Sequence, residues 1–352
     1  QTLADQGVKV LNLNQVLKDT LQDPQAREYV IEIAFADEYY GVTASTALKE
    51  YTNSLPGPAL ADFLIDGMTK RELDENVGHV PSTYFHRFQN DELVTPCLPN
   101  LYFTRDSSAW IYGGVSVNAM QMRARRRETI VYDAIYRGHP RFRDEDFEFW
   151  SHGDDGGYST VEGGDILVPG NGLVIVGLSQ RTTPAGVERL ARSLFRDPQI
   201  ETVVGIMMGH ERAQMHLDTV MTMIDPHTFM KYQHLGMLET VVIKRGSLGG
   251  LSVCVEDADQ MHNVIAKAMG LSDLRFLTTP ESGPNAERGQ WNDSCNLLAI
   301  RPGVVVAYDR NERSNEYLAS QGVEVLIVPG GELGRGRGGP RCMSCPISRG
   351  PA

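Results

Sequence analysis

A run of glycine and arginine empties into a cysteine at Gly334-Arg-Gly-Arg-Gly-Gly-Pro-Arg-Cys342-Met-Ser-Cys345-Pro346. These residue types suggest chemistry directly. A thiolate is a strong nucleophile, and neighbouring arginines favour it over the thiol by charge. The same arginines carry forked N–H donors that grip a carboxylate. Glycine lets such a loop bend and pass close to a ligand. The stretch therefore reads as a mobile lid carrying a nucleophile and anion-binding groups. A flexible tail is the competing reading.

Four polar clusters stand elsewhere in the chain: Asn100-Leu-Tyr-Phe103-Thr-Arg105-Asp106, Glu162-Gly-Gly-Asp165, His216-Leu-Asp218 and Asn292-Asp293-Ser294-Cys295. Each has an ordinary explanation by itself. Asp106 after Arg105 suits a turn or an ion pair, Glu162 to Asp165 suits a tight turn with a capping carboxylate, and His216 suits a satisfied core histidine. Together with a loop cysteine they describe one site, with a thiol nucleophile, a histidine acid/base and carboxylates whose crowding calls for a cation. A guanidinium meets that need, because two carboxylates can each hold its planar fork.

Metal and dinucleotide readings fit less well. His210 and His216 are six apart rather than four, and Cys342/Cys345 is a single Cys-x-x-Cys pair. Gly334-x-Gly-x-Gly-Gly precedes no helical pattern. Arg123 to Arg127 suits a solvated helix face, from which one arginine could still point into the site.

The clusters need elements to carry them. Trp110 to Val117, Ile166 to Val176 and Leu297 to Ala307 each read as strand, Gly/Pro turn and strand, which predicts three β-hairpins. Each is followed by a helix-forming stretch (123–130, 184–195, 313–321), and a further strand such as Glu324 to Pro329 closes two of them. Residues 213–231 read as a fourth, divergent copy. A repeat of this kind cannot bury its own apolar face, so the units are expected around a common axis with their polar clusters converging. Residues 1–13 read as a helix end, a stop at Gly7 and a strand. The span from about 14 to 76 has helical spacing, broken at Pro56-Gly57-Pro58.

Composition narrows the function classes. The chain has 352 residues, 41% of them hydrophobic, and a net charge of −12. That charge argues against nucleic acid and suits a cationic small substrate. No apolar run is long enough to span a membrane. Five cysteines in a long chain point to a reducing, cytoplasmic setting. The first residue is Gln1, and no secretory signal is seen.

In order, Phe103-Thr-Arg-Asp106, Glu162-Gly-Gly-Asp165, His216-Leu-Asp218 and the Gly334 to Pro346 segment resemble the arginine deiminases. The resemblance covers essentially the whole chain. It implies an α/β pentein fold, a propeller of pseudo-fivefold ββαβ repeats with an inserted helical subdomain. It also implies hydrolysis of free L-arginine to L-citrulline and ammonia without metal or other cofactor. By the same resemblance Cys342 is the nucleophile and His216 the acid/base. Asp106 and Asp218 clamp the guanidinium, and Glu162 orients His216. Arg181, Arg337 and Arg123 bind the α-carboxylate, Asn100 and the Phe103 backbone meet the α-amino end, and Asp165 supports from behind. A cytoplasmic dimer or tetramer is the family habit.

The division expected on this basis is 1–13 as a remnant of the first ββαβ module, 14–90 as helical subdomain and 91–352 as catalytic propeller. Relatives begin some tens of residues earlier, so the first repeat is expected to be incomplete. Two alternatives follow. One is another guanidine-modifying enzyme such as an amidinotransferase, a dimethylarginine hydrolase or an agmatine deiminase. The other is a catalytically impaired arginine-binding or surface protein. Agmatine has no carboxylate, so Arg181 and Arg337 would be idle with it.

Overall fold

The computed structural model describes residues 1–153 and 157–350, which fall into two compact units. The helical unit comprises Leu11–Tyr102 and Arg123–Asp146. Its helices start where the sequence supplies caps. Asn12 accepts from the Gln15 N–H before helix Leu13–Thr20, and Asp23 accepts from Gln25 and Ala26 with Pro24 in the first turn of Pro24–Ala34. Pro56 ends the preceding helical run, and Pro58 opens Gly57–Asp66. The two short strands β1 (Met68–Thr69) and β2 (Leu93–Thr95) pair antiparallel. Helix Arg126–Gly138, which the sequence reading places with the propeller, packs here against Pro24–Ala34. A Cβ at Gly138 would stand 2.6 Å from Ala26 Cβ, so glycine sets the closeness of that crossing. The Tyr29 hydroxyl donates to Asp133 across the same pair.

Two local expectations differ in outcome. The strand expected before residue 13 does not form, because Asn12 caps a helix that begins at Leu13. Val8 and Val10 are left exposed in no sheet. The arginine run is not uniformly solvated. Arg123 is exposed, whereas Arg125 is buried and holds buried Glu128 at 2.8 Å. A lone buried charge is costly, so this pair forms inside the unit.

The α/β unit comprises Gln1–Val10, Phe103–Met122 and Phe147–Ala352. Four times it repeats a hairpin followed by a parallel third strand. The first copy is β3 (Ser108–Ile111), β4 (Gly114–Val117) and β5 (Glu148–His152). The second is β6 (Ile166–Gly170), β7 (Leu173–Leu178) and β8 (Thr202–Met207). The third is β9 (Met221–Asp225) and β10 (Thr228–Lys231), with β13 (Arg275–Thr278) as the parallel strand. The fourth is β14 (Leu298–Arg301), β15 (Val304–Tyr308) and β16 (Glu324–Val328). A further hairpin, β11 (Thr240–Arg245) and β12 (Leu251–Glu256), extends the second sheet to five strands.

Each link from middle to third strand contains a helix, as a parallel connection requires. Pro184–Leu194 is typical: Thr183 caps it by accepting from Gly186 N–H, and Val187, Leu190, Ala191 and Leu194 form its buried stripe. Burying each large aliphatic side chain contributes roughly 1.5–3 kcal/mol. The middle strand β7, Leu-Val-Ile-Val-Gly-Leu, is buried throughout. That explains its unbroken apolar sequence.

Candidate active site

The chemistry-bearing residues sit in the turns that lead into the first strand of each copy. Asp106 is in the short helix Thr104–Ser107 before β3. Glu162 precedes, and Asp165 ends, the single helical turn Gly163–Asp165 before β6. His216 precedes, and Asp218 lies in, the turn Leu217–Thr219 before β9. Three of the four copies thus bring equivalent turns together.

His216 is held between carboxylates. Its Nε2 is 2.7 Å from Glu162 Oε2, and its Nδ1 is 3.7 Å from Asp106 Oδ1. Burial lowers its pKa, but Asp106, Glu162 and Asp165 together overcome that and lift it to about 10. That direction favours the imidazolium, whose two N–H groups face Glu162 and Asp106. The two glycines of the Glu162 motif allow this approach. A Cβ at Gly164 would lie 2.7 Å from His216 Cγ, and one at Gly163 only 2.0 Å from the Arg105 carbonyl.

Glu162 is fully buried and serves several partners. Its Oε1 accepts from the Gln121 N–H at 3.0 Å, and Arg181 Nη1 stands 3.7 Å from Oε2. Asp165 lies behind. It accepts from the Ser179 and Thr182 hydroxyls and from the Leu217 N–H at 2.6–2.8 Å, tying three turns together. Burial pushes its carboxyl up to about 7, while His216 and these donors pull it down.

Cys342 Sγ lies 3.7 Å from Asp218 Oδ2 and 3.9 Å from Oδ1. Its backbone is fixed by Asn296, whose Oδ1 accepts the Cys342 N–H while its Nδ2 donates to the Asp218 carbonyl. Arg105 completes the bracing, its N–H donating to the Cys342 carbonyl and its Nε to that of Arg341. The sequence suggests that the lid arginines favour a thiolate; the geometry reverses this. Burial and the negative charges of Asp218, Asp106 and Asp293 push the Cys342 thiol well above its ordinary pKa. Among these groups anions dominate, so a cation entering the site would bring the pKa down.

Arg341, next to the cysteine, is not singled out by the sequence. It donates from Nη1 to Asp218 Oδ2 at 2.6 Å and from Nη2 to the Ile166 carbonyl. Arg341, Arg105, Asn296 and Asn118, which donates to the Asp106 carbonyl, hold the reactive groups in place. Sequence signals for them are thin: Arg341 reads as one more lid arginine, and Asn296 falls one residue beyond the last polar cluster.

The remaining named residues divide by unit. Arg181 is buried beside Glu162. Arg337 has a left-handed φ of 60° and donates to the Arg212 and Ala213 carbonyls, its guanidinium 3.8 Å over the Trp291 ring. Phe103 is buried against Gly338, where a Cβ would strike the ring at 2.3 Å. Asn100 and Arg123 belong to the helical unit.

As potential metal ligands, Asp106, Glu162 and His216 present one atom each within 4.8 Å of one another. A divalent ion there would have to displace the imidazole proton that the same carboxylates stabilise. No helix among the described residues is long and apolar enough to cross a membrane.

The fold has solved counterparts. An apo arginine dihydrolase from cyanobacteria, ArgZ, is 17% identical with a TM-score of 0.52 over 72% of this chain, which spans 33% of that protein's length. The isolated N-terminal domain of an ArgZ variant, covalently bound to a reaction intermediate, gives the same identity and TM-score over 71% of this chain and 76% of the domain. Unliganded AgrE is 16% identical with a TM-score of 0.50, covering 72% of this chain and 32% of AgrE. These are α/β structures of the pentein superfamily. The sequence model of the arginine deiminase family matches residues 1–349. The chain, with its cysteine, histidine and acidic turns gathered in one unit, belongs to the arginine deiminase family.

Proposed function

We propose that this protein hydrolyses free L-arginine to L-citrulline and ammonia through a covalent thiouronium on Cys342. The observation that carries the reading is the Cys342 sulfur 3.7 Å from the Asp218 carboxylate, in a site where an imidazolium is bracketed by Glu162 and Asp106. A guanidinium entering between Asp106 and Asp218 supplies the positive charge these anions lack, and it lowers the thiol pKa as it binds. Once the thiol proton has passed to solvent, the thiolate attacks the guanidinium carbon and forms a C–S bond. The C–N bond then breaks, and the departing nitrogen takes the His216 proton and leaves as ammonia. Water attacks the thiouronium carbon and yields its proton to the now neutral His216. The C–S bond breaks as the remaining hydroxyl proton passes to the leaving sulfur, releasing citrulline and the free thiol.

Arg181 and Arg337 bind the substrate carboxylate in this reading, with Phe103 at the α-carbon end. The reaction uses no metal and no cofactor. The four ββαβ copies are arranged around a common axis as part of a propeller, and the enzyme works in the cytoplasm as a dimer or tetramer. Because ArgZ is described as a dihydrolase, the product decides between neighbouring activities.

The test incubates wild type and Cys342→Ser with L-arginine, agmatine and Nω,Nω-dimethylarginine, with and without EDTA, and analyses the products. Citrulline from L-arginine alone, lost in the variant and insensitive to EDTA, supports the reading. Ornithine as the main product, or preferred turnover of agmatine, overturns it.

A further inference from the structure

The five-stranded sheet ends in an unguarded strand. Its order is β12-β11-β8-β7-β6, so β12 has a neighbour on one side only. Two bonds fix which backbone groups lie on the open side. Met207 N–H donates to the Glu239 carbonyl, and Gly246 N–H to the Gly250 carbonyl. Hydrogen-bonding direction alternates along a strand, so Val241 and Ile243 turn toward β8, while Thr240, Val242 and Lys244 turn toward β12. The latter three face Glu256, Cys254 and Ser252. The N–H and C=O groups of Leu251, Val253 and Val255 therefore point outward.

The side chains of these three residues share one face of the sheet. Leu251 packs, with Ile243, onto the apolar cluster that includes Val187 and Leu190. Val253 lies beside Ile243 and Val255 beside Val241, yet they stay 48% and 65% exposed. Edge strands are ordinarily blunted by lysine, proline or a bulge. β12 has no lysine or proline, its register with β11 is unbroken, and its one charge is Glu256 at the end. Leu248, at the tip of the same hairpin, is fully exposed. An open apolar edge of this kind is a template for another strand.

We propose that β12 pairs with β12 of a second copy across a two-fold axis at Val253, joining the two sheets edge to edge. Identical edges related by such an axis run antiparallel. The strand is complementary to itself in this register. Val253 meets the partner's Val253, and Leu251 meets the partner's Val255 twice over. Each of these pairs exchanges two backbone hydrogen bonds, and every apolar residue of the edge gains an apolar neighbour. Glu256 falls opposite the partner's Gly250, so like charges do not meet. An axis at Cys254 or Val255 instead sets Leu251 or Val253 against Asp257. The Val253 register also carries Leu248 toward the partner's Ala258, giving the exposed leucine a contact. This interface rests on the oligomeric state proposed above, whose surface it names, and not on the proposed chemistry.

The test measures self-association of wild type and Val253→Lys by analytical ultracentrifugation. Val253 is half exposed, so lysine fits the folded chain, and circular dichroism checks that it does. The expected result is a dimeric wild type whose dissociation constant rises roughly tenfold or more in the variant. A monomeric wild type overturns both the interface and the proposed oligomer, whatever the L-arginine assay gives. A dimeric wild type with an unchanged variant overturns the interface alone. Ser252→Cys, treated with glutathione disulfide, reads the register. In the Val253-centred ladder residue 252 faces the partner's Cys254 in a pair without backbone bonds. Cα atoms in such a pair stand about 4.5 Å apart, close enough for a disulfide. A covalent dimer is expected from Ser252→Cys, and none from wild type or from Ser252→Cys combined with Cys254→Ser. No covalent dimer from Ser252→Cys, or one from wild type through Cys254 alone, overturns the register. This second readout stands whether or not Val253→Lys folds.

Discussion

Arg341 and Cys342, adjacent in sequence, converge on one carboxylate: Arg341 Nη1 lies 2.6 Å and Cys342 Sγ 3.7 Å from Asp218 Oδ2. Asp218 is thus both an anchor for Arg341 and a negative charge beside the Cys342 sulfur. Its second oxygen lies 3.9 Å from the sulfur and is, in the proposed reaction, the one that meets the substrate guanidinium.

Breaking this pair should cost stability as well as activity. Asp218→Asn leaves Arg341 buried without its anion, and removing one partner of a buried pair costs about 3–5 kcal/mol. Denaturant unfolding should show a loss of that order, with a comparable loss in transition-state stabilisation from the weakened clamp. Asp106→Asn should show the kinetic loss with less effect on unfolding. Wild-type unfolding by Asp218→Asn would mean that the Arg341 contact contributes little.

Cys342→Ser should yield no citrulline while still binding L-arginine, because the clamp and head-group residues remain. Isothermal titration checks the binding and product analysis the chemistry. Measurable steady-state turnover would remove Cys342 as the nucleophile.

Gly164→Ala places a methyl 2.7 Å from His216 Cγ and 3.0 Å from Asp106 Oδ1. The ring must shift, and misplacing a catalytic group by about 1 Å costs on the order of 10²-fold in rate. A kcat reduction of that size with a modest KM change is expected. Unchanged kcat would show that the imidazolium tolerates movement.

The His216 pKa is about 10 in the folded protein, above its ordinary value of 6.5. The native state therefore binds more protons than the unfolded state between those limits. Its contribution to stability is complete below pH 6.5 and is lost as pH rises toward 10. The slope of unfolding free energy from this group is about −1.4 kcal/mol per pH unit inside the window. Denaturant midpoints at pH 7, 8 and 9 should fall for wild type and lose this component in His216→Gln. Parallel pH dependences for the two proteins would contradict a protonated His216.

Arg337→Ala should impair L-arginine far more than any side activity on agmatine, which has no carboxylate for Arg337 to hold. Ratios of kcat/KM for the two substrates measure this directly. Equal losses would show that Arg337 acts on the lid and not on the ligand.

Much of this is legible in the sequence because it depends on local rules. Turn residues between short apolar runs set the hairpins of β3–β4, β6–β7, β9–β10 and β14–β15, and the acidic turns ahead of them are contiguous motifs. Capping and proline placement mark several helix starts, although the spacing before residue 13 suggests a strand where Asn12 instead caps a helix. What the sequence could not decide is how charges add once water is excluded. Arginines beside Cys342 suggest a thiolate along the chain, yet in space Arg341 is spent on Asp218 and Arg337 on backbone carbonyls, leaving anions to dominate the sulfur. The same holds for Val253 and Val255, ordinary strand residues until the fold leaves their edge unpaired. Local structure follows from neighbours in sequence, but pKa values and unmet hydrogen bonds depend on neighbours in space, and only the tertiary fold supplies those.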